Sequence, residues 1–295
     1  MRSEVVVCKI GGSIIEGIDP TIIDDIKELL TNDKGVILVH GGGDQVTAVA
    51  EKMGKKQRFI TSPEGIKSRY TDLETVEIFT MVMSGMIAKK IVQTLQKNGL
   101  NSISLTGLDG ALLRAQRKKR LVVVDERGKK VAIDGGYTGK IDTVDTSFLT
   151  ALIDSGVVPV ISPIAAGDEW ELLNVDGDRA CSHIAGAMKA ESAVFLTDTE
   201  GLILDNHVVK QLNTEEAREL LPRIGSGMDK KVIAAAEAVE MGARSSIIAS
   251  GLKKNPLRSA LAGVGTKIRN NNDGLVNKME KNHGLEKNEE AEVTQ

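Results

Sequence analysis

Lys9 is the first residue in this chain whose surroundings demand a partner. It stands in the apolar run "VVVCKI" at 5–10, directly ahead of Gly11 and Gly12, and an ammonium in such a strand needs an anion at the strand's end. A second apolar run closes on "VHGGGDQV" at 39–46, with Gly41 and Gly42 in its cluster. Glycines there let backbone N–H groups approach an anion closely, and the helix that follows adds partial positive charge. Singly, each cluster reads equally well as a tight strand-to-helix turn; as a pair, with a lysine beside the first, they favour phosphate binding. "GSGMDKKVIAAAEAV" at 225–239 opens a helix with Lys230 and Lys231 in its first turn. Lysines there oppose the helix dipole, which makes sense if a bound polyphosphate compensates. In "ELLNVDGDRA" at 171–180, Asn174 and Asp178 flank a turn into a helix, as caps or as ligand groups. "EGIKSRYTD" at 64–72 reads either as a charged helix entrance or as a ligand grip.

The elements that must carry these residues alternate. β-branched runs at 5–10, 36–40, 102–105, 157–162, 192–197 and 245–250 are separated by helix-period segments. Near-continuous apolar strands of this kind indicate a parallel sheet buried on both faces. The fold class expected is therefore α/β, three layers around a mainly parallel central sheet. "LVVVDERGKKVAI" at 121–133 reads as a hairpin, within a flap spanning 107–141, and a second hairpin is expected at 168–176. The following helix starts at Asp176 or Asp178, a domain boundary is placed near 170, and the polar stretch 270–295 is expected to be a mobile tail.

Bulk properties exclude several classes. With 295 residues, a net charge of −3 and 2% aromatics, the chain offers neither a basic footprint nor stacking platforms for nucleic acid. His40, His183, His207 and His283 lack zinc-like spacing, so no metal site is expected. Cys8 and Cys181 fit two reduced, buried thiols better than a disulfide. No run is long enough to span a membrane, and the start lacks a signal peptide's apolar core; a cytoplasmic location is the expectation. The glycine loops match neither G-x-G-x-x-G nor G-x-x-x-x-G-K-[ST], and no G-x-S-x-G elbow accompanies "HGGG". A Rossmann dehydrogenase, a P-loop NTPase and an esterase are all disfavoured.

Taken in order, "KIGGS", "VHGGGD", an arginine before "TD", "NVDGD", "LTDTEG", "GMDKKV" and "GTKI" resemble the amino acid kinase family, in particular its acetylglutamate kinase branch, over residues 4–268. The resemblance implies an ATP-dependent kinase that converts a distal carboxylate into an acyl phosphate, with Mg²⁺ carried by the nucleotide. It implies that Lys9 and Lys231 contact the transferring phosphoryl group, that Asp178 orients them, and that Gly11 and Gly12 lie beside the phosphates. Gly41, Gly42, Arg69 and Asn174 would hold the acyl substrate. Thr197, Asp198 and Gly201 would serve adenine and ribose, and the span 223–231, Gly227 included, would cover the phosphates. Residues 1–170 would form the acyl-substrate lobe and 171–269 the ATP lobe, and a homodimer is implied.

"GIKSRYTD" is two residues longer before "TD" than the "GLRVTD" form of ordinary acetylglutamate kinases. It resembles that of kinases acting on aminoadipate, or glutamate, attached to the C-terminal glutamate of a small acidic carrier protein in lysine and arginine biosynthesis. Such a partner needs a basic docking surface. Lys67 and the "RKKR" run at Arg117–Arg120 are candidates, with Lys55, Lys56 and Arg58 weaker ones; a solvated hairpin is the plain reading of that run. The alternatives are a kinase of free N-acetylglutamate and a non-catalytic binding or storage member of the fold.

Overall fold

The computed structural model describes residues 4–270 except positions 17, 64 and 226. Glu64 and the tail beyond Asn270 therefore lie outside the described residues.

The six apolar runs pair side by side, because each needs cover on both faces and a partner for its backbone. They form an eight-stranded sheet in the order Gln211–Asn213, Thr266–Arg269, Ser246–Ser250, Ser192–Thr197, Glu4–Ile10, Lys34–His40, Val158–Ser162, Ser102–Thr106. Every neighbouring pair is parallel except Ser246–Ser250 with Thr266–Arg269. The short strands Thr266–Arg269 and, at the edge, Gln211–Asn213 extend the sheet beyond the six runs.

Glu4–Ile10 has Lys34–His40 on one side and Ser192–Thr197 on the other. Chain order thus reverses across this strand, and the crevice outside the carboxyl ends of such strands is where α/β sheets bind ligands. Lys9 is the penultimate residue of the strand. The sheet passes the boundary near residue 170 without interruption, since Glu4–Ile10 is hydrogen-bonded to strands from both halves of the chain.

The two-residue period of a strand decides what each side chain meets. Val5 and Val7 pack with Ile37, Val39 and Phe195 against the helices Gly177–Ala187 and Met228–Glu240. Val6, Cys8 and Ile10 face the opposite layer, built on Ile22–Thr31, Ala88–Lys97 and Pro256–Leu261. Lys9 shares the parity of Val5 and Val7, which aims it at the helix pair that carries Asp178 and Lys231.

That helix pair is close because its contact residues are small. Ala180, Ala185, Ala234, Ala235 and Ala238 are fully buried, and the Ser182 hydroxyl lies 2.6 Å from the Ala234 carbonyl. A Cβ added to Gly186 would stand 2.4 Å from the Met241 Cβ. Of the two helix starts the sequence offers, Asp176 is the cap, accepting from the Asp178 and Arg179 backbone N–H groups at 2.9 and 3.1 Å. The Asp178 side chain is left for another partner.

Smaller pieces crown the carboxyl ends. The strands Arg120–Val124 and Lys130–Asp134 make an antiparallel hairpin, and Ile164–Ala166 pairs antiparallel with Leu172–Asn174. "EGIKSRYTD" is not a helix entrance along its length: Lys67–Arg69 is a strand pairing with Phe59–Thr61, and only Asp72 caps the helix Leu73–Thr80. That helix continues into a π-helical segment, Met81–Ile87. Cys8 and Cys181 are buried free thiols, and burial pushes Cys8 up to about 12. Among the described residues no helix is long and apolar enough to cross a membrane.

Close packing of the helix pair makes a specific demand on its alanines. Ala235→Leu adds three carbons where Ala235 has no exposure, so it is expected to lower unfolding free energy by about 1–3 kcal/mol. Denaturant titration should show an earlier midpoint at an unaltered slope.

Candidate active site

Asp178 joins two lysines from different elements. Its Oδ1 lies 2.6 Å from the Lys9 Nζ, and its Oδ2 lies 3.9 Å from the Lys231 Nζ. Lys9 and Asp178 are 6% and 7% exposed, so neither ion is solvated by bulk water. Burial alone would raise the Asp178 carboxyl, but the ammonium groups of Lys9 and Lys231 outweigh it and hold it below the usual carboxylate range. Burial likewise opposes the charge on Lys9, and Asp178 more than offsets it. The trio keeps one net positive charge at the sheet's carboxyl edge, suited to receiving an anion.

The two glycine clusters are packed backbone against backbone. A Cβ on Gly12 would stand 2.7 Å from the Gly42 nitrogen, and one on Gly41 would stand 2.6 Å from the Gly12 nitrogen. Gly42 has φ +148°, and a Cβ there would lie 2.2 Å from the Ile87 Cδ1 in the π-helical segment. These glycines are therefore needed to bring the loops together, whatever they bind. Beneath them His40 is fully buried. Its Nδ1 is 2.8 Å from the Gly41 carbonyl, which can only accept, so the proton sits there and Nε2 accepts from the Ser162 hydroxyl at 2.9 Å. Burial, aided by the Lys9 charge, lowers this imidazole to about 4.

Next to the trio lies a cavity of about 710 Å³ whose wall includes Lys9, Gly41, Gly42, Arg69, Asn174 and Asp178. The structure thus brings together every residue expected to hold the acyl substrate, with Lys231 joined to them through Asp178. Arg69 reaches the wall from the hairpin strand. Its Nη2 donates to the Gly43 carbonyl at 2.7 Å and the Thr47 hydroxyl at 2.9 Å, while Nη1 donates to Gln57. Asn174 donates to the Thr71 hydroxyl at 2.9 Å, and the Thr71 carbonyl accepts from the Tyr137 N–H at 2.7 Å. Lys230 crosses from the far helix to the Lys67 carbonyl at 2.6 Å.

Thr197, Asp198, Gly201, Gly227, Gly11 and Gly12 are absent from the cavity wall. The strand ending in Thr197 is a direct neighbour of the Lys9 strand, and the Thr197 hydroxyl donates to the Asp198 carboxylate at 3.0 Å. Gly11 continues the sheet by donating to the Leu196 carbonyl at 3.0 Å. Gly201 has a structural reason to be glycine: at φ +150° its Cβ would stand 2.8 Å from the Thr266 hydroxyl, which accepts from the Leu202 N–H. Gly227 differs: at φ +96° it caps Met228–Glu240 and has open space where a side chain would be.

The basic candidates separate. Lys55 is neutralised by Asp72 and Glu74 at 2.8 and 2.7 Å, so it is no free docking charge. Arg58 lies over the Tyr70 ring, and Arg117 lies over the Tyr137 ring while donating to the Gly136 carbonyl at 2.7 Å. Lys118, read from sequence as one member of a surface run, lines the cavity, as does Lys67. Gln57 and Thr47, which seat Arg69, and the His40–Ser162 pair escaped sequence reasoning, since polar residues at those separations carry no periodic signal. Among the described residues no group of three or more His, Cys, Asp or Glu could hold a metal ion.

Residues 4–250 match the amino acid kinase family model. The LysW-aminoadipate/LysW-glutamate kinase of Sulfolobus acidocaldarius is 47% identical over 90% of this chain and 100% of its own length. A Cenarchaeum symbiosum protein provisionally given the same name is 56% identical over 88% of this chain and 96% of its own. Among solved structures, N-acetylglutamate synthase from Neisseria gonorrhoeae gives a TM-score of 0.75 at 23% identity, covering 91% of this chain and 60% of that one. Carbamate kinase from Giardia lamblia bound to AMP-PNP gives 0.65 at 15%, covering 92% and 100%. These structural likenesses show the fold alone.

The buried imidazole ties stability to acidity. His40 stays neutral in the folded chain down to about 4, whereas an unfolded imidazole protonates near 6.5. The unfolded state then binds the extra proton, so this contribution is present above pH 6.5 and is lost as pH falls toward 4, by roughly 3 kcal/mol in all. Unfolding free energies measured across that window should fall less steeply for His40→Gln than for the parent chain.

Proposed function

This chain belongs to the amino acid kinase family, and on that premise we propose that it phosphorylates the distal carboxylate of aminoadipate, and of glutamate, borne on a small acidic carrier protein. The observation that carries the reading is the Lys9–Asp178–Lys231 trio at the edge of a cavity that also holds Arg69 and Asn174. The names of relatives at 47% and 56% identity support the carrier-linked substrate.

A carboxylate acceptor has a pKa of about 4 and is ionised at neutral pH, so the reaction needs no general base. Its difficulty is the approach of one anion to another. In this reading Lys9 and Lys231 offset the charge that accumulates on the transferring phosphoryl group, and Asp178 keeps their ammonium groups from repelling one another out of place. Gly41 and Gly42 hold the acceptor through backbone N–H groups, Arg69 takes its α-carboxylate and Asn174 closes on it from the opposite side. An oxygen of the acceptor carboxylate forms the new P–O bond as the bond from the γ-phosphorus to the ADP oxygen breaks, leaving an acyl phosphate and ADP.

ATP would lie along Gly11, Gly12, Thr197, Asp198 and Gly201, with its phosphates toward Gly227. The open space at Gly227 and the lysines beside it fit a polyphosphate. Mg²⁺ arriving with the nucleotide would supply further neutralisation of phosphate charge. Segments 1–170 and 171–269 would then serve the acyl substrate and ATP respectively. A homodimer and a cytoplasmic location complete the proposal.

Lys231→Ala leaves Asp178 still paired with Lys9, so the fold should persist while kcat drops about 10²–10³-fold. An unchanged kcat would favour a non-catalytic member of the fold. Substrate choice is decided by phosphorylating carrier-linked aminoadipate and free N-acetylglutamate side by side. Turnover of the carrier-linked acceptor is expected, and robust turnover of only the free compound would remove the carrier from the reading.

A further inference from the structure

The cavity wall carries more positive charge than phosphoryl transfer and one substrate α-carboxylate require. Lys9 and Lys231 are engaged by Asp178, and Arg69 is seated on Gly43 and Thr47. Lys118, Lys140 and Arg179 also line this cavity. They come from separate elements. Lys118 follows the strand Leu113–Arg117 and donates its backbone N–H to Thr138 at 2.9 Å; Lys140 stands opposite Gln116 on the paired strand Gly139–Val144. Arg179 lies in the first turn of Gly177–Ala187, next to Asp178, and is bonded to Glu237.

Among the described residues neither the Lys118 nor the Lys140 ammonium forms an ion pair. The cations act on one another: partial burial, then the charges of Arg179 and Lys140, hold Lys118 below its ordinary value, and the nearby Asp176 carboxylate, which also lines the cavity, offsets them only in part. The same two cations, after burial, lower His183 one turn along the helix. Like charges converging on one cavity wall are relieved by an anion arriving between them. The chemistry of a carrier-linked acceptor supplies that anion. Glutamate has two carboxyl groups, and an amide to the substrate's amino nitrogen consumes one of them. Whichever is used, the other remains as a free carboxylate a few bonds from the amide.

We propose that Lys118 and Lys140, with Arg179 beside them, form a second carboxylate subsite, which binds the free carboxylate of the terminal glutamate to which the acceptor is joined. This rests on the carrier-linked reading. It separates two carboxylates by location, one facing Arg69 and one facing the mouth formed by the flap and the helix Gly177–Ala187. Free N-acetylglutamate and N-acetyl-aminoadipate lack the carrier's carboxylate and leave the subsite unused.

Two synthetic acceptors isolate it: N-acetyl-aminoadipate and γ-glutamyl-aminoadipate, which differ by a two-carbon extension bearing the extra carboxylate and its amino group. Calorimetric titration of the full chain should show the γ-glutamyl compound binding at least about tenfold tighter. The Lys118→Met/Lys140→Met double variant should bring that ratio close to one. N-glutaryl-aminoadipate, which retains a carboxylate without the amino group, should behave like the γ-glutamyl compound. Equal affinities in the parent chain would overturn the subsite, as would a double variant that weakens both acceptors alike or that instead weakens a non-hydrolysable ATP analogue. Phosphorylation of the carrier-linked acceptor, followed separately, reports on the underlying reading: turnover there with an affinity ratio of one leaves the carrier reading standing and rejects the subsite.

Discussion

A single carboxylate fixes the geometry of this protein's site. Asp178 is buried and bonded to Lys9 from the sheet, with Lys231 approaching from a helix, and none of the three is favourable there alone. An isolated buried ion costs several kcal/mol, and attraction repays this only when the partners are held close. The layers around the trio supply the holding. Strand parity turns Lys9 to the correct face, the Asp176 cap frees the Asp178 side chain, and alanine-lined helix packing brings Lys231 within reach. The small residues of the helix pair are thus as much part of the site as its charges.

Glycine does a second kind of positioning. Gly12 and Gly41 permit two strand-to-helix loops to touch through their main chains, with Gly42 tucked against Ile87. The buried His40 spans the Gly41 carbonyl and Ser162, fastening the loop to the neighbouring strand. It does so in its neutral form, which avoids adding another buried cation beside Lys9.

The central strands were legible because burial on both faces leaves no room for polar alternation, so "VVVCKI" and "SAVFLT" stand out as continuous runs. Gln211–Asn213 and Thr266–Arg269 are short and half polar, and strands of that length leave little pattern to read. The same limit concealed the Phe59–Thr61 and Lys67–Arg69 hairpin, whose charges suggested a helix entrance. Lys9, Asp178 and Arg69 could be picked out because each is a charge or cap in a context that does not explain it. Gln57 and Thr47 could not, since their importance arises only when the chain brings them to Arg69. Lys118 misled for a different reason: four consecutive basic residues look equivalent in one dimension, yet they lie where the chain passes from the strand Leu113–Arg117 to Arg120–Val124, in separate sheets, and their side chains take different environments.

The strand that holds Lys9 is bonded along its length to strands from both halves of the chain. Pulling those halves apart as rigid bodies would break the ladder and expose the trio to water. The hairpin strand Lys67–Arg69 is fastened across the cavity outside that ladder, by the bond from Lys230 to the Lys67 carbonyl. The ladder that holds Lys9 and the contact that fastens the hairpin are thus independent of one another: losing the second would leave the first, and the trio it positions, intact.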